Sequence, residues 1–286
     1  MKANPEHYEK SIQAELARIR KLHAENPTAY HNEVLLQNGM ENLLQHFGRV
    51  KLSPRNGQPK RLIVMISGNN EPLTQPWDRY ASYRGTMYMF DQMDRMNMEN
   101  VDIIQLKAGE TIIPFRNTPP IEIHTRVALE HIQNIINDAV AGVGIFEGRT
   151  YDRARMYGFS YGAGACQHVL EGLEKRSKNN ERIPRIERTV YLDGVEYGST
   201  GTALRRRSGL SQQHYHLHQT NRSFLMPISG GPLAAPTKQD FERELKQDSM
   251  DEQAQQKKAQ LDHRSLHDAQ HNRRTFNGIL AALTQS

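Results

Sequence analysis

The chain has 286 residues, with 37 Lys and Arg against 32 Asp and Glu and a formal charge of +5. That length suits one α/β fold around a single sheet, and with Cys166 as the one cysteine no intramolecular disulfide forms. The charge excess is too slight for a nucleic-acid reader, residues 1–20 carry charges where a signal peptide is apolar, and no run approaches the roughly 20 apolar residues that span a bilayer, so a soluble, cytoplasmic protein is expected.

In chain order, residues 5–48 read as two helices. Asn4 is placed to cap the first, Pro5 suits its first position, and Ile12, Leu16, Ile19 and Leu22 share a stripe. A second stripe runs through Val34, Leu35, Leu43, Leu44 and Phe47, and the turn-rich residues 53–57 end the pair. Leu62 to Ile66 is a continuous apolar run, the pattern of a strand buried on both faces of a parallel sheet. A helix over 77–97, a strand over 101–106 and a helix over 124–140 follow. Next come a strand over 153–159, a helix over 162–176, a strand over 189–192 and a strand over 215–219. Residues 237–260 are charged and rich in Gln and Lys, which predicts an exposed helix. Leu266 to Leu283 predicts a final helix, with Ser265 and Asp268 as a capping pair. The alternation favours a three-layer α/β/α sandwich with a mostly parallel sheet, preceded over residues 1–58 by a helical extension or cap.

The segment Gly158-Phe159-Ser160-Tyr161-Gly162 places Gly-x-Ser-x-Gly between a strand and a helix. A serine in so sharp a turn has strained backbone angles and needs neighbours without bulk two residues either side. Its hydroxyl then projects above the sheet, and the helix N-terminus favours developing negative charge. A dinucleotide loop fits less well, because the second glycine of that fingerprint is missing. With this motif in this setting the chain resembles the α/β-hydrolase superfamily, especially its lipase-like and esterase-like members. The resemblance follows element order from about residue 60 to the C-terminal helix and makes residues 59–286 the catalytic domain.

The resemblance implies a Ser, acid, His order along the chain. Asp193 leaves a buried strand beside Gly194, and the next strand offers no carboxylate, so Asp193 is the expected acid, with Glu196 and Asp240 in reserve. His263, just ahead of the last helix, is the expected base, with His267 and His271 one and two turns further on. Oxyanion donors would be the backbone N–H of Tyr161 and that of Asn69 or Asn70, although the His-Gly pair common in lipases at that loop is absent. A serine hydrolase cleaving a lipid or other acyl ester through an acyl-enzyme, with no cofactor, is the function so implied.

Other readings stay open. His214, His216 and His218 alternate along a strand, and His263, His267 and His271 share the i, i+4 spacing of zinc helices, so a zinc-dependent hydrolase is the mechanistic rival; histidines on a solvated or partly covered face are the plainer alternative. Arg205, Arg206 and Arg207 lie where lipases carry a lid, giving either a weak contact with an anionic membrane surface or an ordinary basic loop. Residues 227–236 would line an acyl pocket or serve as a linker. An inactive hydrolase scaffold that binds a partner is a reading of another class. Oligomeric state is not set by the sequence.

Overall fold

The structure, a computed structural model, describes residues 5–37, 46–56, 58, 60–68, 85–109, 121–199, 201–221, 230–252, 261 and 265–285, with the side chains of 5–8, 121–124 and 267 left aside. Eight strands among them form one sheet: β1 (Leu35–Gln37), β2 (Gly48–Lys51), β3 (Lys60–Ile66), β4 (Val101–Leu106), β5 (Tyr151–Phe159), β6 (Arg185–Leu192), β7 (Gln213–His218) and β8 (Phe241–Glu244). Their spatial order is β1-β2-β4-β3-β5-β6-β7-β8. From β4 to β8 all neighbours are parallel, and β2 runs antiparallel to β4 at the other end.

Helices cover both faces, and alternation along the strands shows how. Leu62, Val64 and Ile66 of β3 join a core with α1 (Pro5–Glu25), α2 (Pro27–Val34), α4 (Ile121–Ala141) and α5 (Tyr161–Lys178). Ile63 and Met65 join the opposite core, with α3 (Gly85–Arg95) and α6 (Arg273–Thr284). The expected stripe of α1 is real: Ile12, Leu16 and Ile19 are buried. Asn26 caps α2 by accepting the Ala29 N–H at 2.9 Å, with Pro27 at the first helical position. The mostly parallel three-layer sandwich expected from the sequence is therefore present. The turn from β5 into α5 is of the strand-to-helix kind that the sequence predicted.

The differences lie in the short elements. The second helix stops at Val34; Leu35 and its neighbours extend into β1, and residues 48–51 are β2, so this stretch contributes to the sheet itself. The segment 237–260 contains the edge strand Phe241–Glu244 and a 3-10 turn at Gln247–Ser249 where a helix was expected, and residues 253–260 lie outside the described residues. A strand reading Phe-Glu-Arg-Glu keeps its charges on an exposed edge, which hides it from apolar periodicity. The helix expected over 77–97 spans Gly85–Arg95, with 77–84 outside the described residues. The last helix begins at Arg273, not Leu266; Ser265–His267 is a 3-10 turn, so the proposed capping pair does not start a helix.

Buried charge fixes the sheet at two places. Asp102 is fully buried and accepts hydrogen bonds from the Ser53 N–H and Oγ, Tyr151 Oη and Arg149 Nη1, each at 2.7 Å. Two and three strands across from β4, Arg155 of β5 and Arg188 of β6 donate to Ala282 O at the C-terminus of α6, where cations are favoured.

Candidate active site

β5 ends at Phe159, α5 begins at Tyr161, and Ser160 makes the turn between them with φ 54° and ψ −125°. Glycine tolerates these angles readily; a residue with a Cβ is strained in them by roughly 1–3 kcal/mol. The turn is held from both sides. The Ser160 N–H donates to Leu192 O at 3.0 Å, and its carbonyl accepts the N–H groups of Ala163 at 3.0 Å and Val195 at 3.1 Å. The motif glycines are required by close approach: a Cβ on Gly158 would strike the backbone of Ala163, and one on Gly162 would strike the carbonyl oxygens of Ile66 and Ser67. Gly164 is pressed in the same way on the backbone of Val195 and Tyr197. α5 thus sits directly on the ends of β3 and β6 because the small residues after Ser160 permit it. Ser160 as a whole is 4% exposed, so a reagent reaches it only along a narrow approach.

Asp193 follows β6, also at positive φ (47°), and is fully buried. Register carries Phe159 beside Leu192, so the residues that follow each, Ser160 and Asp193, leave adjacent parallel strands at the same end of the sheet. The Asp193 carboxylate does not bond its own turn. Oδ1 accepts the backbone N–H of Gln219 at 3.1 Å and of Gly230 at 2.7 Å, and Oδ2 accepts Gln219 Nε2 at 2.9 Å. Gln219 and Gly230 are hydrogen-bonding neighbours of Asp193 that the sequence did not reveal. The one available signal was Gly230-Gly231, since a Cβ at 230 would collide with Asp193 Oδ1.

His263 lies outside the described residues, but the chain on either side is placed. Leu261 is buried and its carbonyl accepts Asn221 Nδ2 at 3.2 Å, while Asn221 is two residues beyond the Gln219 that binds Asp193. His267 falls in the 3-10 turn, with its side chain undescribed, and His271 has Nδ1 3.0 Å from Asp268 Oδ2. Ser265–His267 is a 3-10 turn and the next helix starts at Arg273, so His267 and His271 do not lie on a common α-helix. The reserve acids are committed elsewhere: Glu196 holds Arg206 at 3.0 Å, and Asp240 binds Arg207.

The first-turn amides of an α-helix have no intrahelical acceptor, and the Tyr161 N–H is the first of α5. Asn69 and Asn70 lie outside the described residues. The chain leading to them is beside the serine: a Cβ on Gly68 would sit 2.8 Å from the Phe159 ring and 3.4 Å from Ser160 Cβ. The Tyr161 ring packs edge-on against Tyr197, whose hydroxyl oxygen lies 2.7 Å from both Ala108 O and Thr125 O, tying the turn at Ser160 to the chain after β4 and to α4.

Two further expectations take definite form. The imidazoles of His214, His216 and His218 do share one face of β7 but are buried, not solvated, with successive ring centroids 5.7 and 5.6 Å apart. Burial pushes the His214 pKa down to about 3, helped by His216. The three arginines bind within the chain: Arg205 to Pro232 O, Arg206 to Glu196 and Glu171, Arg207 to Asp240 and Thr237. Of the 227–236 segment, Gly230 and Gly231 are stapled to Asp193 and His216. No helix among the described residues is long and apolar enough to cross a membrane.

No protein-family model and no curated protein matches the chain. Among solved structures it is similar to a presumed hydrolase from Agrobacterium vitis S4, at 12% identity over 82% of this chain and 91% of that one, with a TM-score of 0.39. It is also similar to a lipase/esterase from Lactobacillus plantarum, at 12% identity over 62% and 72% of the two chains and a TM-score of 0.31. A third is esterase B from Lactobacillus rhamnosis, at 11% identity over 99% and 98% and a TM-score of 0.32.

Proposed function

We propose that the chain is a serine hydrolase that cleaves an acyl ester through a covalent acyl-enzyme. The observation that carries this reading is the backbone of Ser160, a residue with a Cβ held at φ 54° and ψ −125° by three main-chain hydrogen bonds at a helix N-terminus. Such strain persists where surroundings over-determine it and concentrates at functional sites.

In this mechanism Ser160 Oγ attacks the ester carbonyl carbon while His263 takes its proton. The tetrahedral oxyanion forms against the Tyr161 N–H and an amide of the segment after Gly68, with the N-terminal end of α5 adding favourable field. His263 returns the proton to the leaving alkoxide, and the carbon–oxygen bond breaks. Water, deprotonated by His263, then releases the acid and restores Ser160. Asp193 orients His263 by accepting its Nδ1–H. A carboxylate has about four acceptor positions, and Gln219 and Gly230 fill three, which fixes the group without exhausting it. The contact from Asn221 to Leu261, two residues before His263, supports bringing that loop to Asp193.

Turnover of a p-nitrophenyl ester series by the purified chain tests the proposal. Hydrolysis that falls by at least about a thousandfold in Ser160→Ala and in His263→Ala is expected. Equal hydrolysis by wild type and Ser160→Ala removes it.

A further inference from the structure

The face of the sheet behind Asp193 carries a second constellation. β7 and β8 pair in parallel with His216 opposite Glu242, so His216, His218 and Glu242 project to the same side. One ligand atom from each lies within 4.8 Å of those from the other two. His216 Nε2 is 2.7 Å from Gly231 O. A carbonyl only accepts, so Nε2 carries the proton of this imidazole, and burial pushes its pKa down and keeps the ring neutral. Nδ1 therefore presents a lone pair. It has no hydrogen-bond partner among the described residues although the residue is fully buried. His218 Nδ1 is likewise buried without a hydrogen-bond partner, 3.8 Å from Glu242 Oε1, beyond hydrogen-bond range. Glu242 is itself steadied, with Oε1 accepting the Leu233 N–H at 2.8 Å.

From this geometry we infer a structural divalent-metal site made by His216, His218 and Glu242, with zinc the best-matched ion. Two imidazole nitrogens and a carboxylate form a donor set that suits zinc, leaving a fourth position for water. The imidazole N–H to carbonyl bond at His216 is the outer contact that metal-binding histidines use to fix tautomer and ring angle. Ligand atoms around a tetrahedral zinc stand roughly 3.4 Å apart, so side-chain rotations of about 1 Å close the cluster. Two buried imidazole nitrogens otherwise lacking partners gain one. The ion cross-links β7, β8 and the loop 230–233, the loop whose Gly230 N–H also holds Asp193. It is placed to stiffen the acid's surroundings, and its existence does not depend on the hydrolase reading.

Equilibrium dialysis of chelator-stripped full chain against zinc chloride, with metal counted by elemental mass spectrometry, tests the site. One equivalent is expected, with a rise in the unfolding midpoint on binding. Glu242→Gln, which keeps an oxygen for the Leu233 N–H, should weaken binding at least tenfold and leave the metal-free midpoint unchanged. His218→Gln should do the same, and a His263→Ala/His267→Ala chain should still take up one equivalent. Cobalt substitution should give the visible absorption of a four- or five-coordinate ion. Less than half an equivalent bound, or binding at wild-type affinity in both Glu242→Gln and His218→Gln, overturns the assignment.

Discussion

Strain at Ser160 has a thermodynamic signature that does not require a substrate. Ser160→Ala deletes the hydroxyl but keeps the Cβ that clashes at φ 54°; Ser160→Gly removes the Cβ as well. At an ordinary position, glycine in place of alanine destabilises by about 0.4–1 kcal/mol through the entropy of the unfolded chain. Here relief of about 1–3 kcal/mol of strain opposes that loss, leaving the glycine variant about 0.5–2 kcal/mol the more stable of the two. For a chain of 286 residues the unfolding entropy is about 0.6 kcal/mol per kelvin, so the gap is ~1–3 °C in Tm. Differential scanning calorimetry of the two variants, both catalytically dead on this reading, measures it directly. A Ser160→Gly chain melting a degree or more below Ser160→Ala would show that the turn carries no strain and would remove the main support for a nucleophile there.

Other outcomes follow from the same geometry. Asp193→Asn puts an amide NH₂ among three donors, so it should lower ester turnover by about 10²–10⁴-fold and also cost about 1–3 kcal/mol in urea unfolding. Gly162→Ala drives a Cβ into the backbone at the end of β3, and overpacking of this kind should cost about 1–3 kcal/mol or more and abolish turnover in the soluble fraction. Asp102→Asn leaves Arg149 buried without its counter-charge and should lower urea stability by about 3–5 kcal/mol, at a site remote from the chemistry. Burial holds His214 down to about pKa 3 and His131 to about 4, so unfolding takes up protons below the ordinary histidine range. Their stabilising contribution is complete above about pH 6.5 and is lost as pH falls toward those values, at up to about 1.4 kcal/mol per unit for each. Unfolding free energies from pH 7 to 5 should show this slope, and His214→Gln should reduce it.

How much of this was legible in the sequence depended on the kind of signal. Strands buried on both faces, such as Leu62 to Ile66, are unbroken apolar runs and declare themselves. The turn at Ser160 was legible because its steric demands fall on Gly158, Gly162 and Gly164 around one serine. The outermost strands and β2 were not: β1 and β2 are three and four residues long, and β8 is mostly charged. Pairing across the sheet, not periodicity, makes them strands. The last helix begins later than its apolar pattern suggests, since Leu266 and Ala269 are buried from a 3-10 turn and bend as well as they would be from a helix. The place of Asp193 at a strand end was readable, whereas Gln219 and Gly230, which donate to its carboxylate, arrive from the chain after β7, with the Gly230-Gly231 pair as their one local mark. Likewise the alternation of His214, His216 and His218 gave one shared face, but only the pairing of β7 with β8 brought Glu242 to it.

Covalent labelling is the most direct test of the nucleophile. Purified chain treated with a slim alkyl fluorophosphonate, then measured by intact mass and peptide mapping, should carry one adduct, on Ser160, and Ser160→Ala should carry none. A folded wild-type chain that takes up no adduct, or one whose adduct persists in Ser160→Ala, would contradict hydrolysis through this serine.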